Sequence, residues 1–555
     1  MTESLFPDGA TTHGRSARAP ATGTRGMVAS AHPFATRAGV ETLQDGGNAI
    51  DAAVAVASTL NVVEPYMSGM AGIGVALVYI AAENRTRVLN FSGNAPQAAT
   101  PALYDDSNIE LGPLAPLVPG NIGGWLTMHG EYGRLDRKQL FRRAIDYAAN
   151  GAALTPFNAF TIRNMIEQID GFPSSAAALE LDRANMTTGA VLRQPFLAES
   201  LAAVAEGGME EFYEGKLGDR LNEGHRTMGG IMTRDELAEY RPFWQEPLTT
   251  NYRGLEVRVP PPNSSGFQIA ETLSILNQFD LDEYGSVDTL HTLIEAAFRA
   301  SDDRARYAGD PTKVDVPLDR LLSPEYAKEV ASSIDPARTA GVPTERWRRS
   351  RIDHPLVGVT KPYVSGLTTH FATADADGNV VTVTQTLGEA FGSKVAPEGT
   401  GLFLNNMCKW FDIDADSGSP NLISGGRQVD FCVSPVQLFD TSGSQPSIRL
   451  SIGTPGSYGI LHTSAQMIHH VVDASMNIQE AIEAPRFRFY DSGTLLLEDR
   501  FPKAILADLV SRGHKFEMLP SFHNAVGGGH GIQFTNHGTM LGGADPRRDG
   551  VAMGY

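Results

Sequence analysis

The sequence predicts an α+β fold in which two helical layers enclose antiparallel sheets. Three observations predict it. A helix from Ala49 to about Leu60 is rich in Ala and Val almost all round, and a helix apolar on every side needs burial, here against a sheet. The stretch from about Thr155 to Asp310 reads as mostly helical. Beyond Thr368 the pattern changes to β-branched runs separated by Asp- and Gly-containing turns.

The elements follow in order. Met27 to Ala31 reads as a short buried strand, and Phe34 to Gln44 as a helix stopped by Asp45-Gly46-Gly47. Asn48 is placed to cap the apolar helix that follows. A glycine-rich turn, Ser68 to Gly74, leads into paired strands, Val75 to Ile80 and Arg87 to Phe91. Leu140 to Gly151 reads as helix, Leu255 to Val259 as a strand inside the helical region, and Pro260 to Ser265 as a loop. From Ile334 to Leu367 the periodicity fades among prolines and arginines, the pattern of an exposed, flexible connection. Phe371 to Asp375 and Val380 to Thr386 form a hairpin across Asp375-Ala376-Asp377-Gly378-Asn379. Further strands are expected at Leu402 to Leu404, Val433 to Leu438 and Ile448 to Ile452, and a helix at Ile460 to Ala474.

Bulk properties narrow the function classes. At 555 residues the chain exceeds what one small core needs. Its formal net charge of −19 repels phosphate backbones and argues against a nucleic-acid partner. Two cysteines, Cys408 and Cys432, make neither a disulfide framework nor a zinc cluster, so no metal is expected and a reducing, cytoplasmic setting is the simpler reading. Residues 1–25 read as a flexible polar leader with no apolar core of a signal peptide, and no stretch suits a membrane span.

Thr368-Thr369-His370 stands at the seam between the irregular connection and the first strand of the second region. Local sequence alone favours ordinary strand threonines. Position adds a chemical reading. A threonine hydroxyl is a weak nucleophile unless a base stands beside it, and a threonine at a chain N-terminus carries its own base, the α-amine. Making that terminus requires cutting the Leu367–Thr368 bond, which the same hydroxyl can do by attacking the preceding carbonyl.

This segment, with Asp375-Ala376-Asp377-Gly378-Asn379, resembles the processing site of the gamma-glutamyltranspeptidase superfamily. The resemblance runs in order from about Gly26 to Tyr555. It is carried by Gly46 through Ala53, Glu64-Pro65 with Ser68-Gly69, Pro119-Gly120, and Pro262 through Gly266. It continues through Asp303-Arg304, Gly309-Asp310-Pro311, Asn405-Asn406, Gly453 through Gly456, and Asp545-Pro546-Arg547 through Gly554-Tyr555. It implies a four-layer αββα sandwich of the N-terminal-nucleophile hydrolase type. It also implies self-cleavage into a large region, 26–367, and a small region, 368–555, which stay associated as one sandwich. Thr368 becomes the nucleophile, Thr386 its supporting hydroxyl, and Gly456 and Ser457 the backbone N–H pair of an oxyanion hole. No cofactor is implied. His370 reads equally as a core histidine.

The resemblance weakens where a glutamyl head would be held. The family's carboxylate-binding arginine corresponds to Ser92, and its asparagine after the supporting threonine to Gly388. Its polar and acidic contacts after the Asn-Asn pair correspond to Met407 and Trp410, and its paired serines to Phe431 and Cys432. Arg427 and Asp430 are the charges that remain nearby, each readable as a substrate contact or as half of a structural ion pair. The expected activity is therefore hydrolysis of a small-molecule amide with a non-glutamyl acyl group and water as acceptor, as in oxamate amidohydrolase or cephalosporin acylase relatives. Gamma-glutamyl hydrolysis or transfer and an unprocessed, inactive binding homologue are the alternatives, and homo-oligomers of the processed heterodimer are left open.

Overall fold

The computed structural model describes residues 16–281, 285–341, 367–490 and 494–555. Two seven-stranded antiparallel sheets form its centre. The first runs, in spatial order, Val551–Gly554, Met27–Ser30, Thr368–Ala374, Val380–Thr386, Ile73–Ile80, Arg85–Phe91 and Phe243–Gln245. The second runs Ala21–Gly23, Met540–Ala544, His530–Phe534, Ser447–Gly453, Val436–Asp440, Leu255–Val259 and Leu248–Tyr252. The two inner faces meet through Met27, Tyr79, Ala372, Ala374, Phe439 and Ile532. A polar seam joins them further along, where Thr382 Oγ1 lies 2.7 Å from Ser451 Oγ and Gln437 Nε2 donates to Thr382 Oγ1 at 2.9 Å. Helices cover both outer faces, so the architecture is the expected αββα sandwich.

The Ala49–Val63 helix shows why the first sheet lies where it does. Every residue in it is buried. Asn48 and Asp51 close a capping box at its start, and the Asp375 carboxylate accepts from Ala49 N at 2.9 Å. A carboxylate is favoured there because the first helical N–H groups lack partners and carry the positive end of the helix dipole. Thr373 Oγ1 donates to Ala49 O at 2.7 Å, so the hairpin of the small region is bolted to this helix of the large region. Alternation along Thr368–Ala374 then sends Phe371 into the helical layer and Ala372 and Ala374 between the sheets.

Several expectations change. Ala21–Gly23 pairs with Met540–Ala544, and Thr24 N and Arg25 N donate to Tyr555 O, so the end of the expected leader is an edge strand. Leu402 to Leu404 forms no strand; Leu404 N donates to Val395 O at 2.9 Å inside a buried loop. The strand expected at Val433 to Leu438 runs instead from Val436 to Asp440. Among the described residues, the region 155–310 carries, besides its helices, four strands rather than the one expected. Most of the expected connection, residues 342–366, lies outside the described residues.

Candidate active site

Thr368 opens its strand directly opposite Thr386. Both are buried, and the hydrogen bonding of the Thr386 hydroxyl is complete. It accepts from Thr368 Oγ1 at 3.0 Å and from Gly388 N at 2.7 Å, and donates to Leu367 O at 2.9 Å. A hydroxyl has one proton and two acceptor positions, so this set uses all three. The consequence is geometric: one oxygen holds both the Thr368 hydroxyl and the carbonyl of the preceding peptide bond.

A second anchor comes from the C-terminus. Arg547 is buried between Glu498, at 2.6 Å, and Asp545, at 3.1 Å. That pairing fixes the turn from which Arg548 Nη1 donates to Thr368 O at 3.1 Å. On the helical side of the strand, Thr369 Oγ1 donates to Glu64 Oε2 at 3.2 Å. Burial pushes the Glu64 carboxyl up to about 8, against the opposing pull of Arg548. His370 is fully buried with Nδ1 2.7 Å from Thr384 Oγ1, and burial together with neighbouring His530 holds it well below the usual histidine range. It is a neutral core histidine.

Gly453 ends its strand against the His370 ring, where an added Cβ would lie 2.4 Å from Cε1. The following loop therefore leaves the second sheet at the end where Thr368 begins. Within it Gly456 has φ 134°, accessible to glycine, and Ser457 sits in the left-handed region at φ 55°. Arg488 Nη1 pins this loop by donating to Gly456 O at 3.1 Å. Ser457 Oγ is buried without a hydrogen-bond partner among the described residues. Tyr458 donates to Asp430 Oδ2 at 3.0 Å, tying the loop to the opposite wall.

That wall consumes its own charges. Arg427 donates to the carbonyls of Leu422 and Pro420, at 2.9 and 3.0 Å, and clamps its own loop. It forms no ion pair among the described residues. Asp430 is paired with Arg304 at 3.5 Å, and the Arg304 guanidinium lies over the Tyr458 ring. Ser92 is buried in an amide and hydroxyl chain with Asn90 and Asn263, and Asn263 Nδ2 also donates to Val429 O at 2.8 Å. Phe431 contributes backbone, its carbonyl accepting from Ser265 N and its amide donating to Asn263 O, while its ring and Cys432 join the core. Lys409 pairs with Glu389 and, at 3.2 Å, with Glu110. Burial works to raise the Glu389 carboxyl, but Lys409 and Lys394 outweigh it and hold it down.

Met407 and Trp410 lie on one short 3-10 turn and are both buried. The Trp410 ring stands over Gly388: an added Cβ there would lie 3.1 Å from Trp410 Cζ3 and 2.2 Å from Asn406 Oδ1. Gly388 has φ 102°, so both backbone and neighbours favour glycine. Trp410 Nε1 is buried with no acceptor among the described residues.

The structure thus brings Leu367, Thr368, Thr386, Gly388 and Trp410 together, and links Ser457 to Asp430 through Tyr458. It turns Arg427 and Ser92 to structural bonds. Sequence reasoning missed Arg548, Arg488 and Tyr458, and marked Glu64 only as a family landmark without a role at the site. Arg548 does fall within the terminal motif, but nothing local signals that it reaches a carbonyl 180 positions away.

Comparisons with known proteins bear on this geometry. The gamma-glutamyltranspeptidase family model matches residues 35–555. The Acylase ACY 1 proenzyme of Pseudomonas sp. (strain V22) is 34% identical, covering 96% of this chain and 94% of its own. The glutathione hydrolase proenzyme of Bacillus subtilis (strain 168) is 33% identical, covering 96% and 92%. Among solved structures, a cephalosporin acylase from Bacillus halodurans superimposes with a TM-score of 0.87 at 30% identity over 99% of each chain. The chain belongs to the gamma-glutamyltranspeptidase family.

Proposed function

We propose that the chain is a self-processing amidohydrolase that uses Thr368 as an N-terminal nucleophile on a non-glutamyl amide. The observation that carries the reading is the Thr386 hydroxyl, which holds both the Thr368 hydroxyl and the Leu367 carbonyl. In the first reaction Thr368 Oγ1 attacks the Leu367 carbonyl carbon. The C–N bond breaks, the nitrogen takes the proton, and an ester joins Leu367 to the Thr368 side chain. Water hydrolyses that ester, leaving a Leu367 carboxylate and a free Thr368 amine. Relatives named as proenzymes support this order of events, with the two fragments staying associated. The strand pairing between Thr368–Ala374 and Met27–Ser30 gives the fragments a reason to stay together.

In turnover the new amine accepts the proton from Thr368 Oγ1 as it attacks the substrate carbonyl. Gly456 and Ser457 N–H groups receive the developing oxyanion. The amine then protonates the leaving nitrogen, and water releases the acyl group.

The apolar wall of Met407 and Trp410 supports an acyl group without a zwitterionic head. Arg427 is engaged by two carbonyls, and charges left unpaired against such a wall cost several kcal/mol per ion. A gamma-glutamyl hydrolase is the second reading, favoured by the relatives named glutathione hydrolase. Product analysis separates the two. The purified protein is incubated with glutathione and with a panel of aliphatic and aromatic acyl amides. Carboxylic acid release from the panel, with no glutamate from glutathione, is expected. Glutamate release at comparable kcat/KM overturns the substrate assignment.

A further inference from the structure

Far along the outer helical layer of the second sheet, His291, Glu295 and His514 point their ligand atoms at one another. These atoms all lie within 4.8 Å, and all three residues are buried. His291 and Glu295 are one turn apart on the Val287–Tyr307 helix, and His514 follows the Lys503–Ser511 helix. The first two therefore precede the Leu367–Thr368 bond and the third follows it.

The bonding around each residue suits a metal ligand. His291 Nε2 lies 2.9 Å from Asp335 O. A backbone carbonyl can only accept, so Nε2 carries the proton and Nδ1 presents its lone pair to the cluster. This is the usual outer-shell arrangement of a ligating imidazole. The Glu295 carboxylate accepts from Thr339 Oγ1 on Oε1, and from Arg299 Nη1 and Ala340 N on Oε2. A carboxylate offers about four lone-pair positions, so one on Oε1 remains. Arg299 and Ala340, which bond Glu295, also line a cavity of about 440 Å³.

We propose that His291 Nδ1, His514 Nε2 and Glu295 Oε1 bind a divalent transition-metal ion of the zinc class, with water as fourth ligand, and that the ion fastens the two regions together. The nitrogens are 2.7 Å apart, the spacing of a direct imidazole hydrogen bond. Two nitrogens on one tetrahedral zinc stand about 3.3 Å apart, from bonds of about 2.0–2.1 Å. Binding therefore requires a small parting of the rings and a shift of His514 to the tautomer that carries its proton on Nδ1, the proton exchanging through solvent.

The test uses the full chain without a histidine tag, stripped with chelator and titrated with Zn²⁺ and, separately, Co²⁺. Expected are about one bound ion per chain by elemental analysis, the visible bands of four-coordinate Co²⁺, and a rise in Tm with Zn²⁺. Both the binding and the rise are expected to vanish in His514→Gln and His291→Gln. No binding above the buffer blank, or binding undiminished in both variants, overturns the site and leaves a histidine–histidine hydrogen bond. Should a variant fail to fold, the wild-type Co²⁺ spectrum decides: the spectrum of the free aquo ion overturns the proposal.

Discussion

The two sides of the candidate site are built on opposite principles. Around Thr368 the polar groups are directed: Thr386 points its three hydrogen bonds at the Thr368 hydroxyl, the preceding carbonyl and the next loop, and Arg548 holds Thr368 O. Across from it, between Met407 and Cys432, Lys409, Arg427 and Asp430 are spent on other charges and on backbone, among buried aromatic and aliphatic side chains, with the Trp410 indole N–H and Arg427 Nε unpartnered among the described residues. A buried polar set of the first kind fixes atoms to a fraction of an ångström and suits bond-making. A wall of the second kind discriminates by shape and apolarity. Under the proposed function, the difference teaches that the bond-breaking side of a family fold can be kept while the recognition side is rebuilt.

The comparison can be broken most severely at Thr386. Thr386→Ala removes the shared hydroxyl and is expected to slow both self-cleavage and turnover by about 10²-fold or more, with Thr386→Ser restoring most of each. Gel-based processing rates and steady-state kinetics read this. A Thr386→Ala variant that processes normally would make the hydroxyl merely structural.

Glu64 sharpens the same side through pH. Its carboxyl is raised from 4.5 to about 8 in the folded state, so the folded protein keeps a proton that the unfolded chain loses in that window. Stability from this group is present below about 4.5 and is lost as pH rises through about 8. Gln does not titrate. In a Thr368→Ala background, to keep processing constant, Glu64→Gln is expected to gain stability relative to its parent between pH 5 and 9, by at most about 5 kcal/mol. Thermal melts across pH check this; parallel curves would remove Glu64 as a titrating group.

Gly456→Ala tests the proposed oxyanion role of its loop. At φ 134° a Cβ is strained, and the amides it presents shift. A fall in kcat of about 10-fold with little change in KM is expected.

The smallest effect belongs to the rebuilt wall. Arg427→Met removes two hydrogen bonds to carbonyls and is expected to cost about 1–3 kcal/mol of stability. The preference between neutral and carboxylate-bearing acyl amides should stay unchanged. Selective loss of the carboxylate-bearing substrates would return Arg427 to substrate binding.

How much of this was legible in the sequence depends on the range of the signal. The Thr368–Thr386 hairpin was readable because β-branched alternation and an Asp-Gly turn are local. So was the Ala49–Val63 helix, from its all-round apolarity and its Asn48 cap. Leu402 to Leu404 misled because apolarity reports burial and not strand pairing; those residues are buried in a loop. Phe243–Gln245 and Leu248–Tyr252 were missed because they are short edge strands whose pattern is half polar. In the site, residue types were visible but partners were not. Arg427 read equally as a substrate contact or half of an ion pair, because the carbonyls that hold it carry no side-chain signature.

The central claim is that Thr368 becomes a chain terminus by its own chemistry. Intact-mass spectrometry of the wild type beside Thr368→Ala tests it most directly. Two fragments whose masses meet at Leu367/Thr368, with a single intact chain in the variant, are predicted. A wild-type chain that stays whole on long incubation, or a variant cut at the same bond, would contradict it.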